Sequence, residues 1–237
     1  MKQILRFLIL CFVLGITITC SKDELESVPE PIYSTLTYEG KIYKTVIING
    51  KEWMAENLAY LPKIQASGPS NTEPCYYVYG YRGSSINNAK EHGNYSTYGV
   101  LYNWIAAKYA CPNGWHLATD EEWEELAEYV NSLKGPFKMS RDIWYGIGEY
   151  LKATDGWDEN GNGTDEFGFS GLPGGYGIIC NEFLDSGSRG RGWSATEYEG
   201  LSGGNLAWSR YLHYSNTRFS RRAYPKDVVL SVRCVKD

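Results

Sequence analysis

A cysteine that opens a turn and a helix start, answered by another near the end of the chain, constrains this sequence more than any other feature. The first lies in Cys111-Pro-Asn-Gly-Trp-His-Leu-Ala-Thr-Asp-Glu-Glu-Trp123 and the second in Val232-Arg-Cys234-Val. Joining them would close a domain by tying the middle of the chain to its end. Across so long a loop the chain-entropy contribution is about 4–5 kcal/mol. Of the six cysteines, Cys11 and Cys20 belong to the N-terminal segment, which leaves Cys75, Cys111, Cys180 and Cys234. An even number in an exported chain reads as disulfides. Spacing does not choose among the three pairings; Cys111–Cys234 is favoured, with Cys75–Cys180 as its corollary. Zinc needs clustered Cys and His, and His92, His116 and His213 stand near no Cys-x-x-Cys.

Export is read from the N-terminus. Residues 1–19 carry Lys2 and Arg6, an apolar run from Phe7 to Ile18, and no acidic side chain. This is a secretory signal, too short for a stable membrane span. Cys20 follows directly, where bacterial lipoproteins are cleaved and acylated, although Thr17-Ile18-Thr19 departs from the commonest cleavage motif. The run Ser21-Lys22-Asp23-Glu24 resembles the signal that sends Bacteroidetes lipoproteins to the outer leaflet of the outer membrane. The expectation is therefore an outer-membrane lipoprotein exposed at the cell surface and attached to the membrane through lipid on Cys20. Each buried methylene contributes about 0.8 kcal/mol, so several acyl chains anchor firmly. Residues 20–37, with Pro29 and Pro31, read as a tether, and residues 38–237 as one domain. Loss of Lys2 and Arg6 leaves 21 basic against 28 acidic side chains, a net charge of −7. With no dominant basic patch, nucleic acid is not an expected partner.

Within the domain, Lys41–Ile48 is rich in β-branched and aromatic residues, stops at Asn49-Gly50 and resumes at Lys51, which predicts a β-hairpin. Leu61 to Tyr95 reads as a long Gly-, Ser-, Asn- and Pro-rich excursion with one short strand near Tyr76–Tyr79. Tyr98, Leu101, Tyr102, Ile105 and Tyr109 recur at helical spacing and predict a helix over 98–110. Thr119 and Glu122 form a capping box for a second helix, with Asp120, Glu121 and Glu122 at its positive end. Trp123, Leu126, Ala127, Val130 and Leu133 form its buried stripe, and Gly135-Pro136 ends it. Beyond it the pattern predicts a short helix over 146–152 and strands over 176–180, 191–196, 206–214 and 229–235. Two helices with many short strands make an α+β domain.

The ordered motifs complete the reading. Trp53-Met-Ala-Glu-Asn-Leu58, Gly99-Val-Leu-Tyr-Asn-Trp104, Ala110-Cys-Pro-Asn-Gly-Trp-His-Leu117, Asp120-Glu-Glu-Trp123 and Leu151-Lys152 come first. Gly168-Phe-Ser-Gly-Leu-Pro-Gly-Gly175, Trp193-Ser-Ala-Thr196 and Ser231-Val-Arg-Cys-Val235 follow. From about Tyr38 onward the chain resembles the Fibrobacter succinogenes major paralogous domain, a family of exported bacterial proteins. The resemblance implies a C-type lectin-like fold, shared with formylglycine-generating enzymes and phage variable-tip proteins. In that fold two principal helices pack on small antiparallel sheets, the termini pair, and a loop-rich region carries the binding surface. It implies no uniform activity.

Three chemistries compete for the remaining residues. Asp158-Glu-Asn-Gly-Asn-Gly163 matches the start of a calcium loop, with Asp155, Asp158, Asn160, Asn162 and Asp165 as candidate oxygen ligands. Phe169 stands where such a loop needs Glu, and a turn using Asn and Gly for left-handed geometry explains the segment more simply. No cofactor is required, and calcium is the one metal suggested. Enzymology of the formylglycine-generating type needs two adjacent reactive cysteines, and only Cys234 lies in the terminal segment; no hydrolase motif or catalytic constellation stands out. Binding draws on the late aromatics and arginines, residue types that dominate recognition surfaces. Trp193 and Trp208 read as core, and Tyr198, Tyr211, Tyr214, Arg218 and Arg221 as candidate ligand contacts. The expectation is a non-enzymatic surface lipoprotein that binds or adheres to a glycan or protein ligand. A structural envelope or appendage component without a free ligand is the alternative, and a formylglycine-type enzyme a remote one.

Overall fold

The computed structural model describes residues 28–237 apart from 66, 67, 69, 179–181, 201 and 202. The expected signal peptide, the lipidation site Cys20 and the early tether lie outside the described residues. Asn49-Gly50 turns the chain as expected, with φ of 50° and 74° at its two positions. It joins β2 (Lys41–Ile48) to β3 (Lys51–Met54). Ahead of them β1 (Ile32–Tyr38) pairs with β2 through a second turn of the same kind at Glu39-Gly40, φ 48° and 76°. Ile32–Thr37, expected as tether, is therefore part of the sheet, and Leu36 and Tyr38 pack against the core.

The excursion before Tyr95 holds more order than expected. It contains β4 (Tyr76–Tyr77), α1 (Ile86–Glu91) and α2 (Gly93–Tyr98), with Ser85 and His92 accepting the capping hydrogen bonds. The helix predicted over 98–110 does not form. Gly99, at φ 74°, ends α2; β5 (Leu101–Tyr102) pairs with β4, and Asn103 caps a new short helix, α3 (Trp104–Ala107). The chain continues through β6 (Trp115–Leu117) into α4 (Asp120–Lys134), which has the predicted capping box. Then come β7 (Met139–Ser140), β8 (Ile143–Trp144), α5 (Ile147–Leu151), β9 (Gly174–Ile178), β10 (Glu182–Ser186), β11 (Arg189–Glu197), β12 (Leu206–His213), β13 (Phe219–Pro225) and β14 (Cys234–Lys236).

These strands make two five-stranded sheets, ordered β1-β2-β3-β14-β6 and β11-β12-β13-β8-β7, and two small pairs, β9 with β10 and β4 with β5. Among the described residues all these named pairings are antiparallel. The fold is β-rich, which corrects the expected α+β arrangement of two principal helices on small sheets in a C-type lectin-like fold. Only α4 is long; the other four described α-helices have four to six residues. No helix among the described residues is long and apolar enough to cross a membrane.

Helix α4 lies between the large sheets. Trp123, Leu126, Ala127 and Val130 pack with Val46, Ile48, Trp53 and Val235 of the first sheet and Trp144, Leu212 and Phe219 of the second. A second cluster gathers Tyr43, Met54, Leu58, Trp104, Trp193, Leu230 and Val232. Cys111 and Cys234 form the expected disulfide, their Cα atoms 5.9 Å apart. The expected strand over 229–235 is instead a seam that changes partner at nearly every residue. Val229 bridges Gly177, Leu230 bridges Tyr102, Ser231 bridges Gly192, and only Cys234–Lys236 continues as β14 beside β3 and β6.

Candidate functional site

The arginine-rich second sheet carries the most distinctive surface. Period-two alternation puts Arg189 and Arg191 of β11, Tyr211 and His213 of β12, and Ser220, Arg222 and Tyr224 of β13 on one face. The register sets Arg191 opposite Tyr211, Tyr211 opposite Ser220, and Arg189 opposite His213. With Asn216 and Arg218 from the following turn, these residues line a cleft of about 110 Å³. The opposite face holds Gly190, Gly192, Arg210 and Leu212, turned toward the core. Glycine is required at 190, where a Cβ would come within 2.3 Å of the Leu172 carbonyl oxygen; at 192 a Cβ would only touch Trp123, at 3.4 Å.

Arg191 is the floor residue. It is 6 % exposed, and its guanidinium lies 3.7 Å from the Tyr176 ring centre and 5.3 Å from that of Tyr224. Asp185 Oδ2 accepts from Arg191 Nη2 at 3.0 Å and from Arg189 Nη1 at 2.6 Å. Arg191 Nε and Nη1 have no acceptor, and the buried Ser220 hydroxyl has no partner. Arg218 and Arg222 are exposed and form no ion pair among the described residues; their guanidinium groups sit over Tyr145 at 5.2 Å and Tyr224 at 5.5 Å. Burial, and then the charge of Arg189, hold His213 below its ordinary pKa. Buried Lys152 donates to the carbonyls of Gly161, His213 and Asn216, which fixes the rim of the cleft from beneath.

Of the predicted ligand contacts, Tyr211 and Arg218 belong to this cleft. Tyr214 stacks on His213 with centroids 4.8 Å apart but packs against the core. Arg221 and Tyr198 lie elsewhere. Arg221 pairs with Asp120 Oδ2 at 2.7 Å and Asp142 Oδ1 at 3.3 Å and covers the Trp208 ring at 3.6 Å. Tyr198 meets the same ring edge-on. Trp193 is core, fully buried with its indole N–H on the Tyr102 carbonyl. Trp208, expected as core, is half-buried beneath Arg221 because its strand face ends there at an ion-pair network rather than at apolar side chains. Arg189, Arg191, His213, Ser220, Arg222 and Tyr224 were not singled out as site residues. The alternation Arg189-Gly-Arg191-Gly, large cation against glycine, is a local signal for Arg189 and Arg191 alone.

The proposed calcium ligands divide between solvent and local hydrogen bonds. Asp155, Asp158 and Asn160 are exposed, Asn162 Oδ1 accepts the Trp157 N–H at 3.0 Å, and Asp165 takes the Ser170 N–H and hydroxyl, each at 2.6 Å. Burial pushes the Asp165 pKa up against those hydrogen bonds. Among the described residues no group of three or more His, Cys, Asp or Glu side chains is placed to hold a metal ion. Cys75 is a free, buried thiol whose Sγ donates to the Glu73 carbonyl at 3.4 Å, which removes the expected Cys75–Cys180 bond. Cys180 lies outside the described residues. Cys234, spent on the disulfide, is not available as a thiolate.

A model of the Fibrobacter succinogenes major domain matches residues 46–236. The chain belongs to this family. No curated protein and no solved structure matches the chain. The family match spans α4, the disulfide and every strand of the arginine cleft, so the cleft is part of the family domain itself.

Proposed function

We propose that this protein is an exported, lipid-anchored surface protein that binds a glycan or protein ligand, without catalysing a reaction, through the arginine–tyrosine cleft. The convergence of Arg189, Arg191, Arg218 and Arg222 with Tyr211 and Tyr224 on one open cleft carries the reading. Arginine and tyrosine bring large contact area, stacking and directional hydrogen bonds, the combination that concentrates binding energy. The signal-like residues 1–19 and Cys20 support attachment to the outer membrane.

Detergent-solubilised full chain, immobilised and screened against polysaccharides and extracellular-matrix proteins, is expected to retain at least one ligand. Arg222→Ala in the cleft is expected to weaken that retention, and Arg221→Gln on the opposite face to leave it unchanged. No retention above a folded control protein, or equal retention by Arg222→Ala, would overturn the reading. Recovery of the chain in fixed stoichiometry with an envelope protein, with no free ligand, would favour an assembly role instead.

A further inference from the structure

We infer that the cleft takes an acidic saccharide, its carboxylate or sulfate oxygens received by the arginines and Ser220, its ring lying against the tyrosines. This deepens the binding role proposed above and rests on it. The formal charge of the lining is all cationic: four arginines and no carboxylate. Four guanidinium groups face the cleft or its rim, and among the described residues the one carboxylate bonded to any of them is Asp185, shared by Arg189 and Arg191. Guanidinium keeps its proton at any physiological pH and cannot accept a hydrogen bond. A ligand that satisfies this lining must therefore be rich in acceptors.

The unpartnered groups sharpen the requirement. Arg191 is more than nine-tenths buried and lines the cleft with Nε and Nη1 unsatisfied, and the Ser220 hydroxyl, on the far side of Tyr211, is unsatisfied too. Buried donors are rarely left without a partner, and exceptions gather where a ligand or ion supplies one. The guanidinium groups of Arg218 and Arg222, exposed and without an ion pair among the described residues, suit the oxygens of a carboxylate or of a sulfate. The chain as a whole has a net charge of −5, so this concentration of cations is local and runs against the overall balance. A cavity of about 110 Å³ admits an oxyanion and the edge of a sugar ring rather than a folded peptide segment. Tyr211 and Tyr224, each half-buried, offer faces for the ring and hydroxyls for its polar rim.

Titration calorimetry of the full chain in detergent would compare four probes: an oligogalacturonate, a heparin-derived sulfated oligosaccharide, a neutral dextran oligosaccharide and poly-glutamate. One or both acidic saccharides are expected to bind about tenfold or more tightly than dextran, weakening as salt rises. Binding by the uronate alone would assign a carboxylate, and binding by the heparin fragment alone a sulfate; either supports the inference. Arg222→Gln, at an exposed position, is expected to weaken binding about tenfold, and Arg191→Gln to abolish it. Should Arg191→Gln fail to fold, Ser220→Ala and Arg222→Gln carry the test. Dextran binding equal to that of the acidic probes would overturn the acidic ligand and leave a binding module standing. Poly-glutamate binding as tightly as the saccharides would overturn the saccharide. Silence from all four would overturn this inference, while the wider ligand screen decides the binding role.

Discussion

Arg233 carries its guanidinium into the core, 2 % exposed, and forms no ion pair among the described residues. Asn57 Oδ1 accepts from Nε at 2.8 Å, the Met54 and Phe169 carbonyls from Nη1 at 3.0 and 2.7 Å, and the Ser170 carbonyl from Nη2 at 2.6 Å. Burial pulls its pKa down to about 10, yet the group stays charged at neutral pH. Its role is to satisfy the end of β3 and two loops at one point. Arg233→Met would strand three carbonyls at about 1–3 kcal/mol each, so a loss of at least about 3 kcal/mol in urea unfolding is expected. A loss under 1 kcal/mol would show that water replaces the guanidinium. His116 works at the surface. Burial lowers its pKa, but hydrogen bonds donated to Asp237 at 2.6 Å and to Glu122 at 2.9 Å outweigh it and leave the pKa raised. For Glu122, burial raises the pKa, and the Thr119 N–H, His116 and Lys51 together bring it below the ordinary carboxylate value. A raised histidine contributes stability that is full below its unfolded pKa and lost as pH rises through the folded one. A depressed carboxylate contributes stability above its unfolded pKa that is lost as pH falls. The pair is therefore most stabilising between about pH 5 and 6, between the unfolded pKa values. The melting temperature is expected to decline from pH 6 to 8, and His116→Asn to flatten that decline; an unchanged slope would remove His116 as its source.

At the scale of elements, what was legible in the sequence was what neighbouring residues decide. The turn at Asn49-Gly50 and the start of α4 depend on interactions a few residues apart. Thr119 Oγ1 accepts from the Glu122 N–H at 3.2 Å, and Glu122 Oε2 from the Thr119 N–H at 2.9 Å. Thr119→Ala is expected to cost about 1 kcal/mol, measurable by denaturant melts. The helix expected over 98–110 was illegible for the opposite reason. Tyr98, Leu101, Tyr102 and Ile105 do fall at helical spacing, but Leu101 and Tyr102 are buried by partners far along the chain. Tyr102 exchanges backbone hydrogen bonds with Leu230 at 2.8 and 3.0 Å. Gly99 makes the break compulsory: its φ is 74°, and a Cβ there would stand 2.6 Å from the Leu58 carbonyl oxygen. Both conformation and contact fail at once, so Gly99→Ala should destabilise by more than the roughly 1 kcal/mol of an unfavourable glycine replacement alone. A neutral result in thermal melts would mean the loop adopts another path. The cleft was half legible. Tyr211 and Arg218 stand out by residue type, whereas Ser220 and His213 declare themselves only once three strands are set in register.

Across the whole molecule, the C-terminal seam links the scaffold to the cleft. The Ser231 N–H donates to the Arg191 carbonyl and the Trp193 N–H to the Ser231 carbonyl, each at 3.1 Å, so the seam supports the strand that bears the floor arginine. Two residues on, Arg233 ties loops together, and Cys234 then enters the first sheet with its disulfide to Cys111. The bond spans 123 residues, for which the chain-entropy model gives about 5 kcal/mol, acting mainly on the unfolded chain. The seam's own hydrogen bonds act on the folded chain. These two contributions are separable. Cys111→Ala with Cys234→Ala is expected to lower unfolding free energy by about 3–5 kcal/mol in guanidinium melts, well short of abolishing the β-rich far-ultraviolet signal. If the seam alone positions Arg191, the folded double variant keeps its affinity for an acidic saccharide within about twofold, since neither cysteine touches the cleft. A folded variant that loses that affinity would show instead that the covalent tie sets the register of β11, and that the disulfide holds the site together as well as the fold.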